Sequence, residues 1–182
     1  RAYYGATINL SNSLDLELLP PNDQMVVFEN ALMGYFVLDT DLVVNSGRII
    51  GILDRLMVLD PDDDQYWLYK KVIAGLVSVD SLPAIDNLIT ELEPDRQELI
   101  TPSAPNYLLS RLYMTKSKQY RVLKMQDKEL EYVNKAIQLT PLTGSLRIYK
   151  INRLKDLGLL EESNQALEEC MTDISPSCRQ WL

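Results

Sequence analysis

The 182-residue chain has no histidine and only two cysteines. A serine or cysteine nucleophile would have no imidazole to take its proton, which removes Ser-His-Asp and Cys-His catalysis. Histidine-containing zinc and haem sites are excluded on the same ground, and two thiolates cannot complete a four-cysteine site. Long apolar runs are also missing. The longest, around residues 32–38 and 48–59, are short and broken by charge, so none reads as a membrane span. No basic start followed by an apolar run marks a secretory leader. The first residue is Arg1 and not Met, so the chain is expected to be a piece of a longer protein. The seven glycines stand singly and make no phosphate-cradling loop. Strand signals are sparse: Leu42-Val43-Val44 is the one β-branched cluster, and no Asn-Gly or Asp-Gly hairpin turn occurs.

What remains is helix. Apolar residues recur at helical spacing, as in Leu130, Val133 and Ile137, or Ile148, Ile151 and Leu154. Prolines, acids and one glycine punctuate the pattern. They predict helices over about 2–16, 23–38, 42–59, 64–79, 81–93, 103–116 or beyond, 127–140, 145–157 and 160–173. Asp62, Asp63 and Asp64 suit a helix N-terminus, Ser81 and Ser103 are candidate caps, and Gly158 is a candidate C-terminal cap. The expected class is all-α, with short turns joining antiparallel neighbours.

Charge is unevenly spread. The formal net charge is −8, yet residues 1–100 carry 17 acids against 6 bases and residues 101–182 carry 9 acids against 12 bases. A general nucleic-acid binder is basic overall, so no nucleic-acid partner is expected. Between Glu98 and Asp127 there is no acid, while Arg111, Lys116, Lys118, Arg121 and Lys124 alternate with Tyr107, Tyr113 and Tyr120. Arg147, Lys150 and Arg153 recur every third residue, with Tyr149 beside them.

The proline-bearing junctions have a period. Leu59-Asp60-Pro61 is echoed by Leu92-Glu93-Pro94 and Leu139-Thr140-Pro141, and the steps from Pro61 to Pro94 and from Pro141 to Pro176 are 33 and 35 residues. Lys135-Ala136-Ile137-Gln138-Leu139-Thr140-Pro141, the Asp60–Asp63 junction followed by Trp67, and Gly158, Ser163 and Cys170 together resemble the tetratricopeptide repeat (TPR) family. Lys71, Ile151 and Pro83 depart from its small-residue pattern. The resemblance implies antiparallel helical hairpins stacked as a short right-handed superhelix. Residues 41–182 would hold about three hairpins with an insertion between 95 and 126, and residues 1–40 would be an irregular helical part packed on the array. It also implies a concave groove lined by first helices, which would carry Tyr107, Arg111, Tyr113, Lys116, Lys118, Arg147, Tyr149, Lys150 and Arg153.

Other patterns are weaker. Asp60, Asp62 and Asp64 have calcium-loop spacing, but Gln65 and Lys71 stand where the loop needs Gly and Glu. Asp39-Thr40-Asp41 reads as Asp-x-Asp without a sheet to hold it, and Asn9-Leu10-Ser11 is a glycosylation triplet. Adjacent pairs such as Glu161–Glu162 point apart on a helix. No metal, cofactor or catalytic residue is expected. Cys170 and Cys178 admit two readings, a disulfide in an oxidising compartment or two buried thiols.

The expected function is a non-catalytic interaction module. Its partner would be a protein or acidic peptide, with an anionic glycan or lipid head group as further candidates, and a membrane would be reached only through absent parts of the parent protein. An irregular helical start, Leu59-Asp60-Pro61 and Tyr66-Trp67-Leu68 are similar to the C-terminal periplasmic regions of bacterial O-antigen ligases and protein O-oligosaccharyltransferases. That likeness implies an extracytoplasmic domain that positions an acceptor for a membrane enzyme. A small all-α enzyme using carboxylates is the third reading.

Overall fold

A computed structural model describes residues 2–11, 14–37, 42–78, 81–95, 103–141 and 143–172. All secondary structure among them is helical. The α-helices are α1 (Ala2–Ser11), α2 (Pro21–Val37), α3 (Leu42–Leu59), α4 (Asp64–Ser78), α5 (Leu82–Leu92), α6 (Ala104–Val122), α7 (Gln126–Leu139), α8 (Gly144–Asp156) and α9 (Leu160–Thr172). Short 3-10 segments cover Leu14–Leu18 and Glu93–Asp95. The expected first helix thus ends at Ser11, and the sixth runs on to Val122. Among the described residues no helix is long and apolar enough to cross a membrane.

The chain divides into two compact units, residues 1–97 with 102–108 and residues 98–101 with 109–182. In the first, α1 packs on α2, α2 on α3, α3 on α4 and α4 on α5. Helical periodicity places Ile49, Leu53 and Leu56 of α3 and Val72 and Ile73 of α4 in a core with no exposure. At Gly75 an added Cβ would lie 2.5 Å from Leu88 Cδ1, so the glycine lets α5 lie close on α4. The acidic turn before α4 acts as a cap: Asp63 Oδ1 accepts from the Gln65 backbone N–H at 2.8 Å. Ser81 holds the N-cap position of α5, but its hydroxyl makes no capping bond.

In the second unit one turn is built twice. At the end of α6, Leu123, Lys124 and Met125 donate their backbone N–H groups to Gln119, Arg121 and Tyr120 oxygens at 3.0, 3.0 and 2.9 Å. At the end of α8, 34 residues on, Leu157, Gly158 and Leu159 donate to Arg153, Lys155 and Leu154 at 3.1, 3.0 and 3.0 Å. Both are Schellman ends, which need a left-handed residue at their hinge. Gly158 takes it at φ 76, and Lys124 takes it at φ 59. A side chain in that region costs roughly 1 kcal/mol that glycine avoids.

These turns fold α7 back on α6 and α9 back on α8. Ser110 Oγ reaches the Ala136 carbonyl at 3.0 Å, and Ser163 Oγ reaches the Ile151 carbonyl at 3.1 Å. Met114, Val133, Ala136 and Leu146 form one apolar cluster, and Ile151, Leu154, Ala166 and Cys170 form another.

The first unit carries a pH signature. Tyr66 donates to Glu29 Oε1 at 2.7 Å, and its burial, followed by that carboxylate, pushes its pKa well above the ordinary 10.0. Burial, then Asp95 and Asp63, does the same for Tyr69. Because the folded values are raised, this contribution is fully present below the unfolded value of 10.0 and is lost as pH rises beyond it. Alkaline titration of phenolate absorbance should therefore show a late phase, above the ordinary tyrosine range, that is lost in Tyr66→Phe with Tyr69→Phe. All ten ionising together in the folded protein would contradict this packing.

Candidate binding surface

The second unit carries a cluster of lysines and tyrosines on α6 and α7. Tyr113, Lys116 and Tyr120 share one face of α6 at spacings of three and four. Lys128, Tyr132 and Lys135 share one face of α7 at spacings of four and three. The folding back of α7 brings the two faces together. Tyr120 stacks on Tyr132 with centroids 5.4 Å apart and ring planes 23° apart, and Tyr113 tilts against Tyr132 at 5.8 Å and 48°.

Three ammonium groups surround these rings. Lys116 Nζ is 4.3 Å from the Tyr132 centroid, Lys135 Nζ is 4.5 Å from the same ring, and Lys128 Nζ is 5.3 Å from Tyr120. Ring faces attract cations by about 0.5–1 kcal/mol at exposed sites and more where water is excluded. Lys116 is only 7% exposed, so its charge sits in the drier position. Glu131 is paired to Lys135 at 2.7 Å on the next turn of α7. The Lys135 hydrogen bond and charge hold its carboxyl below the usual range, and the same bond raises the Lys135 ammonium. The pair is solvent-exposed, so water screens most of its stabilising effect.

The second basic stretch is differently employed. Arg147 Nε donates to the Pro141 carbonyl at 3.1 Å, which ties the start of α8 to the preceding turn. Arg153 Nε donates to Glu129 Oε1 at 2.7 Å, and Tyr149 Oη donates to the same oxygen at 3.3 Å. Glu129 has no exposed surface, and its Oε2 has no hydrogen-bond partner. The bond that Arg153 donates to Glu129 raises the guanidinium above its ordinary value. Lys150 lines a half-open cavity of about 250 Å³ between α7, α8 and α9, together with Asn134, Glu162 and Glu169. Two carboxylates there outnumber its one ammonium.

The expected groove residues thus fall into separate groups. Tyr113 and Lys116 meet in the lysine–tyrosine cluster. Tyr149 and Arg153 converge on Glu129. Lys118 is exposed on α6 and Arg111 half-buried on it. Tyr107 belongs to the first unit, where it is 6% exposed and stacks on Phe36 at 4.9 Å and 24°. Cys170 is buried and disulfide-bonded, while Cys178 and the acids of Asp39-Thr40-Asp41 lie outside the described residues. Sequence reasoning missed Lys128, Tyr132, Lys135 and Glu129. The i, i+4, i+7 spacing of the first three was the available signal. Nothing in the local sequence separates Glu129 from the solvated acids around it.

Among the described residues no group of three His, Cys, Asp or Glu side chains is placed to hold a metal ion. Comparison of the chain with protein-family models, with curated proteins and with solved structures finds no match.

Removing one partner of a buried ion pair strands the other, which costs about 3–5 kcal/mol. Arg153→Met should destabilise the chain by that order in urea unfolding followed by circular dichroism. Glu129→Leu combined with Arg153→Met should recover most of the loss. A single Arg153→Met variant within about 1 kcal/mol of the parent would show that the pair is not a structural tie.

Proposed function

We propose that this chain is a non-catalytic interaction module, a short TPR-like array, that takes an acidic protein segment on the lysine–tyrosine surface of α6 and α7. The observation that carries this reading is the gathering of the Lys116, Lys128 and Lys135 ammonium groups around the stacked Tyr120 and Tyr132 rings. A carboxylate-rich segment would find ammonium donors in the exposed Lys128 and the half-buried Lys135, and its alkyl parts would lie against the half-buried Tyr132. The repeat reading is supported by the twice-built turn with its 34-residue step and by small buried residues at the same step, Ala136 and Cys170. In such arrays each hairpin rests on its neighbours and offers an extended surface for recognition.

A second reading, an extracytoplasmic domain of a glycan-transferring membrane protein, is favoured by the disulfide-bonded state of Cys170. Thiol titration of the denatured, unreduced protein from its natural compartment tests it. No free thiol is expected, and two free thiols would remove that reading.

The binding surface is tested with a fluorescent glutamate-rich peptide. Lys128→Glu with Lys135→Glu should weaken its binding by about tenfold or more and leave the helical signal unchanged, and Glu131→Gln should tighten it. Equal affinity in all three proteins would reject this surface as the site.

A further inference from the structure

The turn between α6 and α7 faces its apolar side chains outward. Val122, Leu123 and Met125 are 76%, 55% and 40% exposed. Exposed cations stand among them, namely Lys118, Arg121 and Lys124. Among the described residues none of these three makes an ion pair. The backbone bonds from Lys124 to Arg121 and from Met125 to Tyr120 hold the tip in one shape, so little ordering would accompany contact with a partner.

The α8–α9 turn provides an internal comparison. It has the same backbone bonds and also exposes apolar residues, Leu159 and Leu160. Its hinge is Gly158, and the exposed charges beside it are one base, Lys155, and three acids, Asp156, Glu161 and Glu162, whereas the α6–α7 turn sets Lys118, Arg121 and Lys124 against the single exposed Asp127. The α6–α7 turn instead keeps a lysine in a left-handed conformation that glycine would adopt without strain. What Lys124 adds over glycine is a long cationic side chain at the tip.

We propose that the α6–α7 turn is a membrane-surface contact that docks on anionic lipid. The tip offers protruding aliphatic groups where a peptide-binding site would offer a concavity. Protruding aliphatic side chains with lysine and arginine beside them fit the boundary of a bilayer, where alkyl groups enter the acyl region and cations meet phosphate and carboxylate head groups. This contact goes beyond the acidic-peptide surface and uses none of its side chains.

The test is co-sedimentation of the full chain with vesicles of phosphatidylcholine alone and of phosphatidylcholine with phosphatidylserine. Binding is expected on the anionic vesicles only, and it should weaken as salt rises. Val122→Ser with Leu123→Ser should abolish it and leave binding of the glutamate-rich peptide unchanged, so the two surfaces fail separately. Lys124→Gly should bind about fivefold more weakly, the factor that corresponds to roughly 1 kcal/mol per surface cation. The same variant should melt at a higher temperature, because glycine relieves the hinge. Reduced binding by a better-folded protein cannot come from misfolding. Vesicle binding that survives the serine substitutions, equal binding to neutral vesicles, undiminished binding by Lys124→Gly, or turn-dependent capture of the peptide instead of the vesicles would each overturn the proposal.

Discussion

A carboxylate with no exposed surface ties the second unit together. Glu129 stands at the first turn of α7 and receives Arg153 and Tyr149 from the last turns of α8. Ser163 holds the corresponding place after the second turn, and its hydroxyl is satisfied within its own hairpin by the Ile151 carbonyl. At Glu129 a longer, charged side chain reaches out of its hairpin to the next helix. Apolar contacts such as Val133 with Leu146 also hold α7 against α8, but they tolerate sliding. A directional ion pair in a dry setting does not, so Glu129 sets the register in which the apolar clusters close.

The turn geometry explains the placement of the lysine–tyrosine surface. A Schellman end reverses the chain over few residues, so side chains near the end of α6 meet those near the start of α7. Tyr120 then meets Tyr132, and Lys128 comes over the Tyr120 ring. A lysine at the hinge in place of glycine does not alter this path, because the backbone bonds match those around Gly158. The strain at Lys124 is therefore local, and the rest of the unit is indifferent to it.

Much of the helical framework was legible in the sequence. Pro61 with three aspartates marked the junction between α3 and α4, and Gly158 marked the end of α8, because each residue acts through its own backbone or its own side chain. The reach of α6 to Val122 was less legible, since its last turns lack a strong apolar stripe and its hinge is a lysine. A glycine at 124 would have exposed the 34-residue step directly. The wider step from Pro94 to Pro141 predicts an insertion between 95 and 126, a stretch in which the structure has α6 from Ala104 to Val122. The boundary between the compact units falls inside α6, between Leu108 and Leu109, where no proline or glycine interrupts the helix. The lysine–tyrosine cluster depends on two helix faces meeting, which single-helix periodicity can list but cannot pair. Burial of Glu129 depends on Arg153, 24 residues away, and no local rule reports such a contact.

The cations of the basic half divide by what the fold does with them. Arg147 and Arg153 are engaged by a carbonyl and a buried carboxylate, and Lys135 by Glu131 on its own helix. Their charge is largely spent on structure or balanced by a neighbour. Lys128 rests on the Tyr120 ring, which attracts a cation without cancelling its charge. Lys118, Arg121 and Lys124 have no carboxylate partner among the described residues and cluster at one turn. Net charge alone would not make this distinction, because it counts the Arg153 guanidinium and the Lys124 ammonium alike. Internal pairing leaves Lys118, Arg121 and Lys124 to set the local field at the α6–α7 turn. The ridge on α8, the most regular basic pattern in the sequence, contributes least to it, because two of its three cations are already held by the protein itself.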